Sequence, residues 1–99
     1  MSFKPIHPGE VLLEEYIKPL GLSQHRLARE TGVSAGRVSD IVHGRRGISM
    51  DTALRLARFF GTSDRFWVNL QAHYDLELAK ARLGGRLERE VAVFRGPRG

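Results

Sequence analysis

Apolar residues between Ser23 and Gly47 are spaced so that each of two short helices would bury one side. These residues are Leu27, Ala28, Val33, Val38 and Ile41. Ser23 and Ser34 each precede one helix, and a serine hydroxyl at that place accepts hydrogen bonds from the free N–H groups of the first turn. Gly32 follows the expected end of the first helix at about Thr31. The pattern therefore predicts two helices joined by a tight turn.

Polar and basic residues occupy the opposite side of this pair, namely Gln24, Arg37, Ser39, Asp40, Arg45 and Arg46. A helix pair with one apolar and one basic side is the layout of a DNA-binding helix-turn-helix. In that motif one helix crosses the DNA backbone and the second enters the major groove.

Helical patterns flank this pair. Pro8 suits the first position of a helix that Pro19 and Gly21 end. Ser49 is expected to cap a fourth helix that ends at Gly61. The apolar positions of the fourth helix predict a buried face, and its two arginines are expected to remain outside. That buried face comprises Met50, Ala53, Leu54, Leu56, Ala57 and Phe60.

A fifth helix is expected to open at Ser63 and Asp64 and to extend to about Leu83. Its apolar residues should mainly close the core, while their outer edge is a candidate dimer interface. The dimer candidates are Phe66, Trp67, Leu70 and Tyr74. The fold class is therefore all-α, with five helices in a domain of residues 1–83.

Residues 84–99 form a basic tail that we expect to be flexible, since Gly84-Gly85 interrupts the helical pattern. Glu90 to Arg95 alternates as a strand would, but a lone strand is not stable. This segment would either pair with a partner strand or remain mobile.

Composition narrows the class of protein. The chain has 99 residues, 41% of them apolar, which suits one domain with a modest core. The net charge is +5, with the positive charge placed on residues 23–46 and in the tail. This balance favours an anionic partner. With no cysteine, no apolar leader and no apolar run of membrane-spanning length, a cytoplasmic protein without membrane association is expected.

Candidate DNA contacts follow from position in the motif. Arg45 and Arg46 come just after the second helix and suit phosphate binding, although an ordinary solvated basic loop is the alternative. Arg37 suits either guanine or phosphate. Asp40 suits cytosine, or is a surface acid paired with Arg37 or Arg45. The full predicted set is Ser23, Gln24, Ser34, Ala35, Gly36, Arg37, Ser39, Asp40, Arg45 and Arg46.

Nothing in the sequence indicates catalysis. The four histidines are scattered over four elements without metal-ligand spacing, so capping or surface roles are expected for them. Glu14-Glu15 reads as a helix surface, and there is no nucleophile–base pair or phosphate-binding glycine loop. We therefore expect no enzyme, no metal and no cofactor.

Residues His7 to Lys80 closely resemble the HigA-type antitoxins of the Xre/Cro-like, lambda-repressor-like helix-turn-helix group. The wider group shares the S-Q…L-A…G-V-S…I…G pattern, present here from Ser23 to Gly44. More specific are H-P-G-E at His7 to Glu10, R-R-G-I-S at Arg45 to Ser49, and the run from Asp51 to Gln71 that ends F-W-V-N-L-Q. The tail lies outside this pattern.

The resemblance implies an antitoxin that neutralises a ribonuclease toxin of the HigB/RelE kind. It also implies a homodimer that binds an inverted repeat in its own promoter and represses transcription, with recognition helices about 34–36 Å apart. By position, the predicted DNA-facing residues match the DNA-facing surface of this group. Two alternatives remain: a stand-alone repressor without a toxin, and an interaction protein whose helix-turn-helix no longer binds DNA.

Overall fold

A computed structural model describes residues 4–97, and all its regular elements are helices. Helix α1 (Pro8–Val11) continues into a π-helical segment (Leu12–Ile17). The others are α2 (Gln24–Thr31), α3 (Ala35–Val42), α4 (Met50–Phe60), α5 (Asp64–Leu83) and α6 (Arg86–Glu90). The all-α prediction is confirmed. The five predicted helices are present, and α6 is a sixth that the sequence pattern did not indicate.

The first helix begins as predicted, with Pro8 in its first turn, but then winds more widely. The Lys18 N–H donates to the Leu13 carbonyl five residues earlier, at 3.0 Å. Because π winding stacks residues five apart, it places Leu12 and Ile17 on one face. Both side chains are buried.

The core lies where the first helix, α2, α3, α4 and the start of α5 meet. Trp67 is completely buried, and its indole N–H donates to Thr62 Oγ1 at 2.8 Å. The rings of Tyr16, Phe60 and Phe66 surround it, with centroids 4.9–6.0 Å away. Burial of this indole with its polar atom satisfied holds α5 against the first helix and α4.

Part of the predicted buried face of α4 is wrong. Ala53, Leu56 and Ala57 are buried, whereas Met50 and Leu54 are 68% and 57% exposed. The apolar positions span more of the helix circumference than the neighbouring helices, chiefly α5 and α2, cover. Met50 and Leu54 therefore form an exposed apolar surface.

The tail has more local structure than expected and no strand within its described residues. α6 has no buried residue, and residues 91–96 are neither helix nor strand. Val91, Val93 and Phe94 are 60–87% exposed. Flexibility of this tail, and the domain boundary near residue 83, stay predictions. No helix in residues 4–97 is long and apolar enough to cross a membrane.

Candidate nucleic-acid interface

A serine caps the start of both α2 and α3, and a glycine in the left-handed conformation lies between the two helices. Ser23 Oγ accepts from the Arg26 N–H at 3.0 Å, and Ser34 Oγ accepts from the Arg37 N–H at 3.2 Å. Between them Gly32 has φ of +76°, a conformation that a side chain would strain. Both predicted caps and the predicted turn are confirmed.

Helix α3 is also positioned from behind, by α1. A Cβ on Gly9 would lie 1.7 Å from the carbonyl oxygen of Ile41, so only glycine permits this approach of the two helices. His7 caps α1 by accepting the Gly9 N–H at Nδ1, at 2.9 Å, which confirms a capping role for one histidine. The H-P-G-E segment thus fixes the back of α3.

The front of α3 presents the predicted residues together. Ser34, Ala35, Gly36 and Arg37 are exposed. Apart from the adjacent residues and the backbone of α3 itself, no atom lies within 4 Å of the position that a Gly36 Cβ would occupy. Of the other predicted residues, Gln24 on α2 and both Ser39 and Asp40 on α3 are half-buried. The small, open first turn can approach a flat partner closely.

The basic loop, Gly44 to Gly47, folds back onto Asp40 at the end of α3. The backbone N–H groups of Arg45 and Arg46 donate to the Asp40 carbonyl oxygen at 2.7 and 3.2 Å. Arg45 Nε also donates to Asp40 Oδ1 at 3.1 Å, while Arg46 Nε lies 3.9 Å from Oδ2. The loop is therefore bonded to α3. Of the two partners that the sequence left open for Asp40, Arg37 and Arg45, the structure shows Arg45, with Arg46 as a second and more distant partner.

Two supporting residues were missed by the sequence analysis. Gln71 of α5 accepts the Ile48 N–H at 2.7 Å and so holds the C-terminal end of the basic loop. Arg55 was expected simply to remain outside, but its guanidinium donates to the Thr31 carbonyl at 2.9 Å and ties α4 to the end of α2. These partners are 23 and 24 residues apart, so no local pattern could reveal them.

Most of the predicted dimer residues pack within this chain and not on its surface. Trp67 is completely buried, Phe66 and Leu70 pack against the core, and the Tyr74 ring lies edge-on to His7 at 4.8 Å. A more open apolar surface lies beside them, in a shallow groove of about 130 Å³ between α4 and α5. Its lining residues are Ile48, Met50, Val68, Gln71, Ala72 and Asp75.

His7 lies at the back of the interface, and its surroundings shift its pKa. Burial lowers the pKa of His7 below its usual value, and nearby Asp75 partly opposes this effect. Within residues 4–97, no three His, Asp or Glu side chains gather in a group able to hold a metal ion.

Comparisons with known proteins agree with this geometry. The family described as helix-turn-helix matches residues 13–67. Virulence-associated protein I of Dichelobacter nodosus is 55% identical over 75 residues, covering 76% of this chain and 69% of the relative.

Two solved structures extend the likeness to nearly the whole chain. The Pseudomonas aeruginosa antitoxin HigA with the higBA promoter has a TM-score of 0.86 and 48% identity, covering 90% of this chain and 97% of that one. Antitoxin GraA in complex with its operator has a TM-score of 0.86 and 40% identity, covering 95% of each chain. This chain therefore belongs to the helix-turn-helix family, and it resembles the HigA-type antitoxins of that family.

Proposed function

We propose that this protein is an antitoxin that binds the promoter of its own operon as a homodimer and neutralises a HigB/RelE-like ribonuclease toxin. The observation that carries the proposal is the 48% identity and TM-score of 0.86 to an antitoxin HigA solved with its promoter. The likeness includes the region that holds α3 and the basic loop.

DNA binding would use α3 and the basic loop together. The exposed first turn of α3, from Ser34 to Arg37, enters the major groove, where Arg37 reads guanine or holds phosphate. Arg45 and Arg46 bind phosphates beside it, and Ser23 and Gln24 face the backbone from the start of α2. The caps, Gly9 and Gln71 would let this surface bind without large rearrangement.

The homodimer would place two such surfaces on adjacent major grooves of an inverted repeat. Trp67 is too deeply buried to contact a second subunit directly. The exposed Met50 and Leu54, with Val68 and Ala72 of the neighbouring groove, are therefore our preferred interface. The exposed edges of Phe66, Leu70 and Tyr74 would lie at its margin.

The alternative is a stand-alone repressor, which would use the same DNA surface. Several curated relatives support it, since they carry only the description of uncharacterized helix-turn-helix transcriptional regulators. Neither proposed role calls for catalysis or a cofactor, and both act in the cytoplasm, where the promoter is.

The test combines promoter binding with toxin neutralisation. The neighbouring gene, if it encodes a small RelE-like protein, is induced with and without this chain while growth is followed. Promoter binding is measured by fluorescence anisotropy on the upstream duplex. Rescue of growth together with saturable promoter binding supports the antitoxin. Promoter binding without rescue or copurification supports the stand-alone repressor. Absence of promoter binding at moderate salt contradicts both.

A further inference from the structure

Asp40 lies on the proposed DNA-facing surface, where its negative charge is expected to weaken DNA binding. It sits at the end of α3, among the residues that would face the phosphates, yet its carboxylate is within 3.1 and 3.9 Å of the two arginines of the basic loop. A carboxylate there repels phosphate and competes with it for the same guanidinium groups.

The contact also orients Arg45. The hydrogen bond to Asp40 uses Nε, so the two terminal nitrogens of the guanidinium can still bind a phosphate as a pair. Half of each arginine side chain remains exposed, at 59% and 53%. Exposed ion pairs of this kind are weak, so Asp40 restrains these side chains without locking them.

The backbone of the loop does not depend on the charge of the carboxylate. It is held by the Asp40 carbonyl oxygen, which accepts from both arginine N–H groups, and by Gln71, which accepts from Ile48. Replacing the carboxylate with an amide therefore changes the charge and the orientation of the guanidinium groups while the loop keeps its fold.

We propose that Asp40 is a positioning residue that raises sequence discrimination, by holding the guanidinium groups of Arg45 and Arg46 in one orientation and lowering affinity for DNA of unrelated sequence. This inference rests on the proposed DNA-binding function. Non-specific binding depends almost wholly on how many phosphates are neutralised, so it suffers most from a competing carboxylate. A correctly placed site gains from arginines that are already oriented, which offsets the same repulsion.

The test compares Asp40→Asn with Glu14→Gln, on the promoter duplex and on an unrelated duplex of equal length. Glu14 also forms an exposed ion pair, with Lys18 at 2.8 Å, but on the first helix, so it controls for the change in net charge. For Asp40→Asn we expect affinity for the unrelated duplex to rise about 3- to 10-fold and its salt slope to steepen by about one unit. Promoter affinity should change less than about twofold.

The gain in affinity for the unrelated duplex must also depend on Arg45 and Arg46 of the basic loop. In an Arg45→Ala/Arg46→Ala background, Asp40→Asn should raise affinity for the unrelated duplex much less, because only the direct repulsion between carboxylate and phosphate is then removed. A gain of the same size there, or an equal gain from Glu14→Gln, overturns the proposal. So does a loss confined to the promoter duplex, which would make Asp40 a base-reading residue. Asp40→Ser serves as a second neutral variant, and thermal unfolding checks the fold of each.

Failure of the proposed function would look different. If the wild-type protein does not distinguish its promoter from the unrelated duplex, the repressor role fails, while the unrelated duplex still tests whether Asp40 restrains the arginines.

Discussion

Two arginine-bearing segments of this chain are held very differently. The basic loop has both its arginines close to Asp40, its backbone bonded to α3, and its far end bonded to Gln71 of α5. In the tail, none of the described residues from 86 to 97 is buried, and Arg86 pairs there with Glu90, one helical turn away. The loop is therefore bonded to two helices, α3 and α5, whereas no residue from 86 to 97 is buried against the rest of the chain.

This difference allows two contributions to DNA affinity to be separated: the amount of positive charge and the place where that charge is held. Net positive charge attracts DNA from either segment. Only the loop has its charges fixed next to a helix end that can enter a groove. If binding requires arginines held beside α3, removing equal charge from the two segments should have unequal effects on promoter affinity.

The largest effect is expected from removing both arginines of the basic loop. Arg45→Ala/Arg46→Ala should weaken promoter binding about 10- to 100-fold and flatten the salt slope by about two units, because two phosphate contacts are lost. Arg89→Ala/Arg95→Ala removes the same charge from the tail and should cost less than about threefold. Anisotropy titrations over a range of salt measure both. Equal losses from the two variants would mean that charge alone binds DNA.

A smaller effect should follow from releasing the loop from α5. Gln71→Ala leaves the Ile48 N–H without its partner, and an unsatisfied donor of this kind costs about 1–2 kcal/mol of unfolding free energy. Promoter affinity should fall as the loop loosens. Asn69→Ala, an exposed amide two positions earlier, is the control. Urea unfolding with unchanged stability for Gln71→Ala would show that Gln71 does not hold the loop.

The contrast between Gln71 and the serine caps shows what sequence could and could not predict. Ser23, Ser34 and Ser49 act on N–H groups three residues ahead, so local sequence identifies them, and each cap is present. The Gln71–Ile48 and Arg55–Thr31 contacts depend on how separate helices pack. Gly9 belongs to the same class, since its neighbour, the carbonyl of Ile41, lies on another helix.

Helical periodicity had a second limit. It correctly marked α4 as amphipathic, but it included Met50 and Leu54 in the buried face, because spacing alone does not say how many neighbours a helix has. The sequence pattern also predicted a first helix without indicating its π winding, which places Leu12 and Ile17 on one side. For the site, residue types and order predicted the candidate residues and left the partner of Asp40 open between Arg37 and Arg45. The three-dimensional loop shows that the partner is Arg45, with Arg46 nearby.

A pH effect smaller than that of Gln71→Ala is expected from His7, at the back of the interface. Since burial lowers its pKa, the neutral form is favoured in the folded protein. Its contribution to stability is then complete above the unfolded pKa of about 6.5 and is lost as pH falls through the folded pKa. His7→Asn keeps an acceptor for the Gly9 N–H. Wild type should lose more in Tm than this variant between about pH 7.5 and about pH 5.5. Parallel losses would assign the pH dependence to other groups.

The smallest effect should come from removing the tail. A chain that ends at Gly85 should unfold within about 0.5 kcal/mol of the full chain, because α6 buries nothing. Its promoter affinity should remain close to that of the full chain. Circular dichroism melts and the same anisotropy titration measure both. A large loss of stability or affinity would place the tail within the functional domain.

The location of the DNA interface can be measured most directly by NMR, with a ¹⁵N-labelled full chain titrated with its promoter duplex at moderate salt. We expect backbone amide shifts to concentrate at residues 23–24, 34–40 and 44–47. Residues 86–97 should stay close to their free positions. Shifts centred on the tail, or spread evenly over every basic segment, would contradict an interface built from α3 and the basic loop.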